Sequence, residues 1–77
     1  DSGIEIQRVY PKTDIPEEVH GDYIESFLIL KGECECTVDN SRIKLSPGDF
    51  LEISLHVKHD IKVLSPYVAA VLQYRFL

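Results

Sequence analysis

Leu51-Glu52-Ile53-Ser54-Leu55-His56-Val57-Lys58-His59-Asp60-Ile61-Lys62-Val63 decides the fold. Every odd position is apolar except His59, and the residues between are polar. That is the period of a strand, whose side chains alternate between two faces. His59 falls on the apolar face. The pattern repeats outward from this stretch. Glu33-Cys34-Glu35-Cys36-Thr37-Val38 alternates, as do Arg42-Ile43-Lys44-Leu45 and Ile4-Glu5-Ile6-Gln7. Val68, Ala70, Leu72, Tyr74 and Phe76 share one face of a last strand, and Ile24 to Leu30 is an apolar β-forming run. Turn formers separate these pieces: Asp39-Asn40-Ser41, Ser46-Pro47-Gly48-Asp49 and Ser65-Pro66-Tyr67. Residues 11–18, with Pro11 and Pro16, read as a loop. About seven short strands without an amphipathic helix predict an all-β antiparallel barrel or sandwich.

The chain has 77 residues, enough for one small domain, 1–77. Eight basic against thirteen acidic residues give a net charge of −5, which argues against a nucleic-acid partner. No apolar run approaches the roughly 20 residues of a membrane helix. Cys34 and Cys36 suit reduced thiols, and no segment reads as a signal peptide, so a cytoplasmic protein is expected.

The order of the pieces resembles the cupin family. Its first motif runs Gly, five residues, His-x-His, three or four residues, Glu, six residues, Gly. His20, Glu25 and Gly32 match the later part; Glu18 stands at the first histidine and Lys12 at the leading glycine. The second motif runs Gly, five residues, Pro-x-Gly, two residues, His, three residues, Asn. Gly48 and His59, eleven residues apart, match it, whereas Ser54, His56 and Val63 replace its Pro, Gly and Asn. The resemblance covers residues 18–76. It implies a small double-stranded β-helix, or jelly-roll barrel, with a metal inside held by Glu18, His20, Glu25 and His59. Two imidazoles with carboxylates suit Fe, Mn, Ni or Zn, with open positions for a small-molecule ligand.

Each residue also has a plain structural reading. His59 could be a core histidine, His20 a loop residue, and Glu18 an exposed acid after Pro16. Glu25 is five positions after His20, an odd separation that places them on opposite faces of a continuous strand; a bend at Gly21-Asp22 would bring them together. Glu25 shares parity with Phe27 and Ile29, and a buried carboxylate needs a metal or a cation. His56 has the opposite parity to His59 and reads as a loop or surface residue. Cys34 and Cys36 read as small core residues. Tyr10, Tyr23, Tyr67 and Tyr74 read as β-formers, with Tyr23 placed to line a pocket.

Three function classes follow. One is a metal-dependent oxygenase, decarboxylase or isomerase acting on a small anionic or oxygenated substrate. The second is a barrel that binds a small ligand without chemistry. The third is a degenerate barrel without metal, kept for dimerisation. A homodimer is expected, because Leu28 and Leu30 leave an apolar outer face that calls for a cover.

Overall fold

A computed structural model describes residues 2–77. The alternating segments form β1 (Ser2–Pro11), β2 (Asp14–Glu18), β3 (Tyr23–Lys31), β4 (Cys34–Val38), β5 (Ser41–Leu45), β6 (Phe50–Ile53), β7 (His59–Val63) and β8 (Tyr67–Phe76). They pair into two four-stranded antiparallel sheets, ordered β1-β8-β3-β6 and β2-β7-β4-β5. No helix is present among the described residues. The all-β antiparallel architecture expected from the alternation, and the jelly roll that the resemblance implies, are therefore what the chain adopts.

Register places the core. Phe27 lies opposite Leu72 and Ile29 opposite Ala70, while Cys36 lies opposite Ile61 and Cys34 opposite Val63. Residues directly opposite in an antiparallel pair point to the same face, so these side chains fill the space between the sheets. All are buried, together with Leu45, Ile53 and Val68. The two thiols are core residues, as their parity suggests, and both are free. Their mutual hydrogen bond, together with burial, holds the Cys36 thiol well above its ordinary value.

The odd-numbered apolar series is two strands rather than one. β6 lies in the first sheet and β7 in the second, with a turn at residues 54–58 between them. His56 takes φ 63° at this turn and is exposed. The inward parity nevertheless survives the crossing, since Ile53, His59, Ile61 and Val63 are all buried.

Residues 11–18 are only partly a loop. Asp14–Glu18 is a strand at the edge of the second sheet, with an irregular register between Ile15 and Glu18. Proline cannot donate to a ladder, but an edge strand with a bulge has a place for it. Pro16 occupies that bulge and Pro11 ends β1, so the loop expected over 11–18 is confined to residues 12 and 13.

Two turns cap the opposite ends of β4. Asp39 and Asn40 both have positive φ, 49° and 70°, as a two-residue hairpin between Val38 and Ser41 requires. Gly32 has φ 82°, and a Cβ there would stand 2.1 Å from the Tyr67 carbonyl oxygen. Only glycine fits. The Ser65 hydroxyl tightens the junction, donating to the Tyr67 carbonyl at 2.6 Å and accepting from the Glu33 amide at 2.9 Å.

The outer faces differ in kind. Across the second sheet, Asp14, Lys62, Glu35 and Lys44 lie in one row, alternating in sign from strand to strand. Across the first sheet, Gln7, Val71, Leu28 and Phe50 form a row, next to Val9 and Ala69. Val9 and Phe50 are 62% and 59% exposed, and Leu28 and Leu30 are also exposed.

Candidate metal centre

Glu25 is placed by register. It lies opposite Tyr74 on one side and Ile53 on the other, one inward position beyond Phe27 on β3. Its carboxylate therefore enters the space between the sheets and is only 6% exposed. His59 opens β7, opposite Val38 and Glu18, and enters the same space from the second sheet. His20 precedes β3 in the short connection from β2, where the chain bends at Gly21-Asp22. The bend resolves the parity conflict between His20 and Glu25. Gly21 matters here because a Cβ would come within 3.0 Å of the His56 ring. The His56 amide donates to the His20 carbonyl at 2.8 Å, tying the two loops together.

One nitrogen or oxygen from each of His20, Glu25 and His59 lies within 4.8 Å of the others. Each Nε2 is 3.5 Å from Glu25 Oε1. That is too long for a hydrogen bond, which spans about 2.7–3.2 Å. It is close to the roughly 3 Å between neighbouring donors that sit about 2.1 Å from a common ion. Two imidazoles and a carboxylate on one side of an ion leave the other positions open. The donor set thus fits a divalent transition metal.

The rings are oriented from behind. His59 Nδ1 donates to the Val57 carbonyl at 3.0 Å, which leaves the Nε2 lone pair facing Glu25. This is the support that ligating histidines characteristically receive. His20 Nδ1 is hydrogen-bonded to the Tyr23 hydroxyl at 2.8 Å, and the two rings stack at 4.5 Å. With Nε2 ligating, Nδ1 donates to the phenol oxygen. Tyr23 is therefore part of the site as well as of the packing.

Glu18 stands apart. Its carboxylate is 3.9 Å from His20 Nε2, and its side chain is half-exposed. It lies at the rim, outside the close group of three. His56 is not brought in at all: its backbone holds His20 while its side chain stays on the surface.

The three residues line a cavity of about 360 Å³ shared with Arg8, Tyr10, Ile15, Tyr23, Phe27 and Tyr74. That size suits a small molecule. Tyr74 lies opposite Glu25 in the register of β3 and β8. Burial first, then the negative charge of Glu25 beside it, holds its phenol well above the ordinary value. Burial and the Glu25 charge raise Tyr23 in the same direction. Tyr74, Tyr10 and Arg8 were invisible as site residues in the sequence. Parity puts Tyr74 on the inner face of β8, but only the register with β3 puts it beside Glu25.

Comparison with known proteins identifies the family. Residues 5–72 match the cupin domain family. Quercetin 2,3-dioxygenase of Bacillus subtilis is 34% identical over 62 residues, which are 79% of this chain and 18% of that protein. The Schizosaccharomyces pombe Cnp3 cupin domain superposes with a TM-score of 0.93 at 19% identity, over 99% of this chain and 54% of that one. A predicted oxalate decarboxylase from Thermotoga maritima superposes with a TM-score of 0.81 at 16% identity, over 97% and 65% of the two chains. The chain thus spans about half the Cnp3 domain and less than a fifth of the dioxygenase. A family match over most of the sequence, joined to the two-sheet barrel, leads to one conclusion: the chain belongs to the cupin family.

Proposed function

We propose that this cupin binds a divalent transition metal, Fe, Mn, Ni or Zn, through His20, Glu25 and His59, and receives a small oxygenated molecule beside it. The observation that carries this reading is the convergence of three donor atoms within 4.8 Å at a cavity. When bound, the metal would supply a Lewis acid that polarises an oxygen of the ligand. The chain's own contribution is positional. Val57 and Tyr23 hold the two imidazoles, Glu25 neutralises part of the ion's charge, and Tyr74 keeps a protonated hydroxyl beside that carboxylate. Phe27 from the first sheet and Ile15 and Ile61 from the second give the cavity apolar walls. The dioxygenase and decarboxylase relatives support an oxygenation or a decarboxylation of such a ligand. Glu18 completes the shell only if its side chain swings inward; otherwise a water does. The two reduced thiols support a cytoplasmic setting.

The test is metal uptake. Protein stripped with a chelator is titrated with Mn(II), Fe(II), Ni(II) and Zn(II) by calorimetry. One ion per chain is expected, lost in His59→Ala and retained in His56→Ala. No uptake of any ion, or equal uptake by His59→Ala, overturns the reading.

A second copy of the chain supplies the cover for the first sheet. Val9, Leu28, Val71 and Phe50 are contiguous there, whereas the charged rows of the second sheet favour water. Sedimentation is expected to show a dimer at micromolar concentration, and a monomer for Leu28→Asp. A monomeric wild type would refute the dimer.

A further inference from the structure

The cavity contains a cation that the metal reading does not use. Arg8 lies on β1 opposite Ala70, a core residue, so its side chain leaves the inner face of the first sheet and lines the cavity. It is the only lysine or arginine in that lining. Three carboxylates share the cavity with it, those of Glu18, Glu25 and Asp60. None of them forms an ion pair with it among the described residues: the Glu18 and Glu25 carboxylates face His20, and the Asp60 carboxylate accepts from the Thr37 amide. The guanidinium lies 5.0 Å from the centre of the Tyr10 ring, which supports it from one side. Its donor edge remains available for a carboxylate.

The geometry points to a ligand with two carboxylates on separate carbons, one directed at the metal and the other held by Arg8. This rests on the metal reading above and adds the substrate class. Register gives the scale of the molecule. Glu25 is opposite Tyr74 and Arg8 is opposite Ala70, four residues away on β8. At about 3.3 Å per residue the two anchor points are offset by roughly 13 Å along the strand. The reach of the arginine closes part of this gap, and a carbon chain of several atoms is needed for the rest. A two-carbon diacid is too short to touch both ends. A monoacid of the same length leaves the guanidinium unpaired in the walls of the cavity. Tyr10 and Ile15 line the same cavity and give the carbon chain an apolar surface.

The experiment uses Ni(II)-loaded protein, with metal content measured before and after each titration. Glutarate and adipate are compared by calorimetry with pentanoate and hexanoate. At least one diacid is expected to bind about tenfold to a hundredfold tighter than its matched monoacid, the range of a charge-assisted hydrogen-bonded pair. Arg8→Gln should erase that advantage without changing metal stoichiometry, and Arg8→Lys should keep part of it. Arg8 is exposed, so neither variant threatens the fold. Equal binding of diacid and monoacid, or a preference that survives Arg8→Gln, overturns the diacid assignment and leaves the metal site standing. Failure to load metal overturns the metal reading and this assignment with it.

Discussion

Replacing Glu25 with glutamine separates the fold from the function. The carboxylate is 6% exposed, with both imidazole Nε2 atoms at 3.5 Å, beyond hydrogen-bonding range. Without metal, burying its charge is costly. Glutamine keeps the shape while removing the charge. The metal-free variant should therefore match the wild type or exceed its stability by up to about 2 kcal/mol. Metal reverses the order. At a hundred times its dissociation constant it stabilises the wild type by about 2.7 kcal/mol. In a domain of this size that raises the Tm by roughly 11–22 °C. Glu25→Gln, with a neutral donor in place of the anion, should gain only a small part of this. Thermal unfolding with and without Ni(II) gives four curves, and a crossing of the two proteins is the expected result. A metal-free variant that loses more than about 2 kcal/mol would show that the carboxylate is a structural partner of the histidines. An undiminished metal shift in the variant would show that the ion binds elsewhere.

Three further outcomes follow from the same geometry. Gly32→Ala should cost about 3 kcal/mol or more in urea denaturation, because the left-handed backbone and the 2.1 Å approach to the Tyr67 carbonyl act together; a loss below about 1 kcal/mol counts against the junction described. Metal affinity should fall as pH drops, because protons compete with the ion for the two imidazoles and the carboxylate, and calorimetry giving a flat profile from about pH 8 to 5 would contradict this. Burial above all, with the Glu25 charge adding, holds the Tyr10, Tyr23 and Tyr74 phenols above their ordinary value. Their contribution to stability is complete below about pH 10 and is lost as pH climbs through the raised values, so the urea midpoint should drop in that range, and a level midpoint would refute it.

The sequence exposed what depends on local periodicity and concealed what depends on register. The odd-numbered series carried inward parity through β6 and β7 even though the chain changes sheets between them, and so His59 could be placed in the interior from sequence alone. Glu25 could be placed beside Phe27 and Ile29 for the same reason. His20 was harder, because its position depends on a bend at Gly21-Asp22 and on a hydrogen bond from His56, thirty-six residues away. β2 was missed because Pro16 signals a loop unless the strand is known to be an edge with a bulge. Arg8 and Tyr74 belong to the cavity only through the pairing of β1 and β3 with β8, a long-range fact that no spacing within one strand records. Glu18 shows the converse: its motif position was legible, yet its strand leaves the carboxylate at the rim.

The donors also belong to different sheets, which has a mechanical consequence. Glu25 is carried by the first sheet, His59 by the second and His20 by the connection between them. At the other side of the barrel, the Gly32, Ser65 and Tyr67 junction already fastens adjoining turns with backbone contacts. At the mouth the His56–His20 backbone hydrogen bond joins the loops, and an ion there would add a rivet through both sheets. Its effect on hydrogen exchange would then be local. Amides near His59, Asp60 and Glu25 would gain protection as the sheets stop parting at that end, while those around Leu72, which already open only with the whole molecule, would slow no more than global stability dictates. The end of the barrel that admits a ligand would be the end whose breathing the metal arrests.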